Sequence, residues 1–224
     1  MMKKYDKKDN LFKECSNKLK EYVSAVLLEK DQVVIGLPGG RSILPVLNHF
    51  KTEDLPWEKI HVFMVDERLV PIESKDSNFK LINKGLKVVL PKENFHPFII
   101  QQDAIDLGMN SYKDEIKKFG SKFDIVLVSS GEDGHIAALY PNHSSIKDES
   151  DFLIVMNNSP KPPAERITFS KNFIQNSTFG ILLFVGDVKK YAYNDFKSDE
   201  VDFQSCPAKL VQNISNHSVF AYDV

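Results

Sequence analysis

Short apolar runs of strand length, separated by stretches with helical spacing, recur along most of this 224-residue chain, and that alternation limits the fold more than any other feature. VVIGL (33–37), HVFMVDE (61–67), DIVLVSS (124–130) and GILLFV (180–185) are apolar on consecutive residues, as strands covered on both faces are. Leu11, Cys15, Leu19, Tyr22, Val23, Val26 and Leu27 recur at three- and four-residue steps and predict an amphipathic helix. ILPVLNHF (43–50), LINKGLKVVL (81–90), SYKDEIKKF (111–119) and VKKYAYNDF (188–196) predict further helices. FII (98–100), FLIVMN (152–157), RITFS (166–170) and SVFAY (218–222) predict further strands, and IAALY (136–140) a helix or a turn. Strands alternating with helices predict an α/β fold with an open, mainly parallel sheet flanked by helices. No repeat, low-complexity segment or linker-like shift divides the chain, so residues 1–224 are expected to form one domain.

Lys and Arg total 29 against 31 for Asp and Glu, a formal charge of −2, so no global field draws the chain to nucleic acid or an anionic membrane. An anionic ligand must therefore be held by a local site. Cys15 and Cys206 lie far apart, in no CxxC or Cys/His cluster, which argues against a disulfide framework or a zinc site and fits a reducing cytosol. The opening MMKKYDKKDN is basic but no apolar stretch follows it, and no window offers the roughly 18 consecutive apolar residues of a membrane span. The expectation is a soluble, cytoplasmic monomer acting on a small molecule, with the N-terminal lysines as solvated surface.

Ligands of open α/β sheets bind beyond the carboxyl ends of the strands, and three such places are chemically loaded. In GLPGGRS (36–42), Gly39 and Gly40 allow backbone N–H groups to approach an anion, Arg41 adds a charge, and Ser42 can cap the following helix. The same segment can also be a strand-to-helix turn with no ligand. VDERLVP (65–71) sets Asp66, Glu67 and Arg68 at a strand end, where a local ion pair is the plainer reading. In SSGEDGHIAALYP (129–141), His135 follows Asp133, and a carboxylate can fix a histidine's tautomer for proton transfer; a structural histidine is the alternative. Arg166 and Lys189 or Lys190 supply further positive charge. No neighbour of Cys206 in sequence would lower its pKa, so it is not expected to be a nucleophile.

Taken in order, GLPGGRS, VDERLVP, DSNF (76–79), GEDGHIAALYP, KPPAERIT, GDVKK and CPAKL resemble the 6-phosphogluconolactonase family, over nearly the whole chain from about residue 31. The resemblance implies a modified Rossmann-like α/β fold shared with glucosamine-6-phosphate deaminases. It also implies cofactor-free hydrolysis of 6-phospho-glucono-1,5-lactone in the pentose phosphate pathway. The deaminases usually carry DEY where Asp66, Glu67 and Arg68 stand, and a Glu where this chain has Tyr140. In the other direction, Ile136 is more deaminase-like, and Ser129-Ser130 replaces the lactonases' usual glycine–hydrophobe pair. A deaminase-like enzyme and a non-catalytic sugar-phosphate sensor are the competing readings.

Opening a δ-lactone needs an activated water and a stabilised oxyanion, but neither a metal nor a covalent nucleophile. The expected roles follow: His135 as base, Asp133 as its orienting partner, Arg68 at the oxyanion, and Asp66 holding Arg68 or binding a sugar hydroxyl. The phosphate is expected on the N–H groups of Gly39, Gly40 and Arg41 with Ser42, supported by Arg166 and Lys189. Whether Glu67 or Glu132 shares in proton transfer is open at this point.

Overall fold

The computed structural model describes residues 2–99 and 104–224. Seven strands form one parallel sheet: β1 (Met2–Tyr5), β2 (Val33–Leu37), β3 (Ile60–Met64), β5 (Phe95–His96), β6 (Ile125–Ser129), β9 (Phe179–Val185) and β10 (Asn216–Tyr222). Their order is β1-β10-β9-β6-β2-β3-β5. Every residue of β2 is buried, as its unbroken apolar run predicts, and β6 and β9 are nearly so. From β2 the sheet grows through β3 to β5, and then the chain returns to the other side of β2 to lay down β6, β9 and β10. The reversal falls between β2 and β6, so the loops leaving those two strands diverge and open a crevice at their carboxyl ends.

The run 61–67 is not one strand. Its break is Val65, whose N–H donates to Leu37 O in the parallel sheet (2.9 Å) while its carbonyl accepts from Phe169 N–H (2.9 Å). β4 (Asp66–Arg68) thereby leaves the main sheet and joins β8 (Arg166–Phe169) and β7 (Leu153–Met156) in a small antiparallel sheet of order β4-β8-β7. The sheets share a ring cluster: Phe169 lies 4.9 Å from Phe123 and 4.2 Å from Phe173.

The helices are α1 (Lys8–Leu27), α2 (Ile43–Phe50), α3 (Asn78–Leu86), α4 (Ile105–Lys117), α5 (Ser144–Lys147), α6 (Lys171–Gln175) and α7 (Lys190–Lys197). Ser77 caps α3 by accepting from Lys80 N–H at 3.1 Å, which starts that helix earlier than the apolar spacing predicts. The strand expected at 98–100 is displaced to Phe95–His96, which pair with Val62 and Phe63; Pro97 has no N–H to extend the ladder, and Ile100 lies outside the described residues. The N-terminal lysines are solvated as expected, and the backbone of Lys3 and Lys4 forms strand β1, paired with β10, which the sequence does not announce. Residues 136–140 form neither helix nor strand, only an isolated bridge from Ile136 to Leu139. No described helix is long and apolar enough to cross a membrane.

Under β3 and β5 lies a buried histidine pair, with His61 Nδ1 3.1 Å from His96 Nε2. Burial, His61 and Lys118 together hold the His96 pKa down at about 4, although Glu115 opposes them. An unfolded chain takes up this proton near pH 6.5, so the stability present above that pH falls as the pH drops toward 4. Denaturant titrations at pH 7 and pH 5 should differ by about 2 kcal/mol from this group alone. A His96→Phe variant, whose ring can keep the stack on Phe63 at 4.1 Å, should decline less steeply. A wild-type stability that is flat over this interval would contradict the neutral pair.

Candidate active site

The crevice between β2 and β6 holds a pocket of about 510 Å³. Its walls include Gly39, Gly40, Arg41 and Ser42 after β2, Asp66 and Arg68 of β4, Ser129 and His135 around the end of β6, and Lys189 after β9. Eight of the ten residues singled out from the sequence are thus brought together.

The turn after β2 is shaped from the side by Asn78, because a β-carbon on Gly39 would collide with the Asn78 amide. Ser42 precedes α2 but its hydroxyl caps no N–H, so the expected capping bond is not made and the hydroxyl remains in the pocket wall. Asn78 also grips Asp66, donating Nδ2 to the Asp66 carbonyl at 3.0 Å and to its Oδ2 at 3.1 Å. Burial pushes the Asp66 carboxyl above its ordinary range, against the pull of Arg68, Arg166, His135 and Asn78.

Glu67 faces away from this chemistry. Its carboxylate accepts from the backbone N–H groups of Arg68 and Asn78 (both 2.7 Å) and Phe79 (2.8 Å), and from Ser77 Oγ (3.1 Å). It docks the start of α3 onto β4, which gives DSNF its structural purpose. The Arg68 guanidinium is held by the Asp76 carbonyl, 2.7 Å from Nη1. The local ion pair with Asp66 or Glu67 is not formed, and Asp66 does not hold Arg68. Arg68 Nε is buried without a hydrogen-bond partner.

After β6 the chain closes a tight loop in which Gly131 N–H donates to the His135 carbonyl at 2.7 Å. Gly134 adopts φ +87°, and a β-carbon there would sit 2.9 Å from Cys206 Sγ. CPAKL therefore packs under the loop, and Ala208 N–H donates to Gly134 O at 2.8 Å. Burial raises the Cys206 thiol pKa to about 11, in keeping with a packing role. Asp133 Oδ1 lies 2.5 Å from His135 Nδ1, which leaves Nε2 as the ring nitrogen free for chemistry. Asp133 is partly buried, which opposes ionisation, but the hydrogen bond and charge of His135 hold its carboxyl well below the usual range. Tyr140 covers the His135 ring at 5.0 Å between centroids. Ala137, in the pocket wall, takes a left-handed φ of +51°, a local strain of the kind that gathers at functional sites.

Lys189 reaches the pocket from beyond β9 and donates to Ser129 Oγ at 3.1 Å, so the serine that departs from the family pattern holds a pocket cation. Burial lowers the Lys189 pKa to about 8. Sequence reasoning misses Lys8 and Phe12, which the first turns of α1 contribute to the wall, because a basic N-terminal run carries no sign that its helix starts over the crevice. Arg166 is a correction: it does not line the pocket. Its Nε donates to Pro163 O (2.9 Å) and its Nη2 to Lys161 O (3.2 Å) and Pro162 O (3.0 Å), so the guanidinium is committed to the loop preceding β8. Glu132 is exposed and paired with Lys161 at 2.8 Å, outside the pocket. Among the described residues no three His, Cys, Asp or Glu side chains cluster as metal ligands. Lys8, Arg41, Arg68 and Lys189 face the cavity against the single carboxylate of Asp66, an arrangement suited to an anion, with a histidine–carboxylate pair at one wall to move a proton.

A sequence model of the family described as glucosamine-6-phosphate isomerases/6-phosphogluconolactonase matches residues 6–220. A 6-phosphogluconolactonase of Borreliella burgdorferi is 33% identical over 196 residues, covering 84% of this chain and 83% of the relative. A 6-phosphogluconolactonase of Synechocystis is 31% identical over 199 residues, covering 85% and 82%. The crystal structure of 6-phosphogluconolactonase from Thermotoga maritima superposes with a TM-score of 0.88 at 25% identity, over 100% of this chain and 99% of that one.

An anion seated on Lys189 should restore its proton, so affinity should fall as pH rises through about 8. Calorimetric titration with inorganic phosphate should show about a tenfold loss between pH 7.5 and 9. At pH 7, Lys189→Met should bind roughly 10- to 100-fold more weakly than wild type and lose the pH dependence. Equal affinity of the two proteins at pH 7 would take Lys189 out of the anion site.

Proposed function

This chain belongs to the glucosamine-6-phosphate isomerase/6-phosphogluconolactonase family, and from that footing we propose that it hydrolyses 6-phospho-D-glucono-1,5-lactone to 6-phospho-D-gluconate in the oxidative pentose phosphate pathway. The observation that carries this reading is His135, paired with Asp133, in the wall of a cation-lined cavity that also holds Arg68. Water at His135 Nε2 gives up its proton as it attacks the lactone carbonyl. Asp133 keeps Nδ1 protonated and stabilises the imidazolium. Arg68, fixed on the Asp76 carbonyl, stabilises the oxyanion, and collapse of the tetrahedral intermediate expels the ring oxygen, which takes the proton from His135. Asp66 faces the sugar hydroxyls. The phosphate rests on the backbone of Gly39, Gly40 and Arg41, the Ser42 hydroxyl and Lys189. No metal, cofactor or covalent intermediate enters this sequence, and the enzyme acts as a cytosolic monomer.

The family's other reaction, on glucosamine 6-phosphate, is less well served. Tyr140 stands where a deaminase carries a glutamate beside its histidine, and its hydroxyl is 2.9 Å from Ser159 Oγ. Turnover assays with the lactone and with glucosamine 6-phosphate, run side by side, should show activity on the lactone; activity on the amino sugar alone would overturn the proposal. His135→Ala should lower kcat for the lactone by roughly 10²–10⁴-fold with little change in KM, and a fully active variant would remove His135 from the mechanism. Arg68→Ala should cost about 10²–10³ in kcat at saturating lactone, after subtraction of spontaneous hydrolysis. Lys should rescue only in part, because one ammonium cannot both hold the Asp76 carbonyl and face the substrate.

A further inference from the structure

Behind the His135–Asp133 pair lies a loop, residues 157–165, that the mechanism above does not use. Its tip is Lys161. The ammonium sits 2.8 Å from Glu132 Oε1 and 3.7 Å from Asp133 Oδ2, the carboxylate oxygen that His135 Nδ1 does not take. The loop under it is tied down from several sides. Arg166, buried to 3% exposure, spends Nε and Nη2 on the carbonyls of Lys161, Pro162 and Pro163. Ser159 Oγ is 2.9 Å from Lys161 O and 2.9 Å from Tyr140 Oη, and the Tyr140 ring covers His135. His143 Nε2 lies 3.2 Å from Asn158 O. One loop therefore touches both partners of the pair, through Tyr140 on the imidazole and through Lys161 on the carboxylate.

We propose that Lys161 is a positioning residue for the His135–Asp133 pair, a cation braced by Arg166 that holds the outer oxygen of Asp133 and is shared with Glu132. This rests on the reading of His135 as the base. The charge balance around the pair gives the proposal its sign. Asp66 faces it from β4 and Glu132 from the same loop, both favouring a protonated histidine. Lys161 opposes them from the 157–165 loop. Arg68 and Arg166 act on Asp66, and Lys189 acts on Glu132 and Lys161, at longer range. Removing the Lys161 charge leaves the negative groups uncompensated, so His135 keeps its proton to higher pH. Removing the Glu132 charge does the reverse and releases Lys161 to Asp133 alone. At about 33% exposure of Lys161 solvent screens the effect, and a shift of about half a unit is expected in each direction.

The test uses the full chain in wild-type, Lys161→Met, Lys161→Arg and Glu132→Gln forms, checked for unchanged thermal midpoints. The His135 ring is titrated by NMR, and kcat for the lactone is followed against pH. In Lys161→Met the histidine titration and the acid limb of kcat should both move up by about half a unit, with KM within about twofold of wild type. Glu132→Gln should move both down, and Lys161→Arg should leave both in place. A histidine titration that stays fixed in Lys161→Met and Glu132→Gln overturns the proposal and leaves Lys161 a loop strut. A titration that moves while the kcat limb stays put upholds Lys161 but removes His135 as the base, so the two failures are told apart. If Lys161→Met is destabilised, the downward shift expected in Glu132→Gln decides the question by itself, and its absence overturns the proposal.

Discussion

The split hydrogen bonding of Val65 is the constraint on which the site depends. Its N–H completes the register with β2 and its carbonyl starts the register with β8, so one residue belongs to two sheets. Both bonds satisfy buried backbone groups that would be costly to leave unpaired, and the turn out of the parallel sheet at this point brings Asp66 and Arg68 into the wall of the crevice. Phe169 secures the junction from below, because the residue that donates to Val65 also packs against Phe123 and Phe173.

From that junction the buried carboxylates divide their labour. Glu67 satisfies three backbone N–H groups and one hydroxyl, and in doing so seats the first turn of α3. Asn78, seated by Glu67, then reaches Asp66 and presses on Gly39. The glycine turn after β2 and the Asp66 wall of the pocket are thus connected through one asparagine, which hydrogen-bonds Asp66 and packs against Gly39, and the adjacent carboxylates do different work because their neighbours differ.

What can be read from the sequence is whatever is local. VVIGL, IVLVS and GILLFV announce themselves because a strand covered on both faces is apolar at each position. The glycine turn and the Asp133–His135 pair announce themselves because their partners are a few residues apart. Val65 is invisible, being as apolar and β-branched as the strand it interrupts. MKKY is invisible as a strand because its side chains are exposed and only its backbone is engaged. Arg166 reads as a phosphate ligand because its charge is legible, whereas the carbonyls that absorb that charge are set by the path of the preceding loop. Arg68 and Asp66 read as a pair because they are neighbours, yet strand β4 parts them and each finds its hydrogen bond in the segment before or at the start of α3.

The strand order also settles how this sheet meets its surroundings. On one side β10, with VFAY in its interior, would present an apolar edge with a row of unpaired peptide groups. Four residues of β1 close that row and face outward with Lys3 and Lys4. On the other side β5 is two residues long and ends at a proline. Neither margin offers a stranger's strand a long, uncharged template, so the same lysines that look idle in the sequence guard the fold against growing by recruitment of other chains.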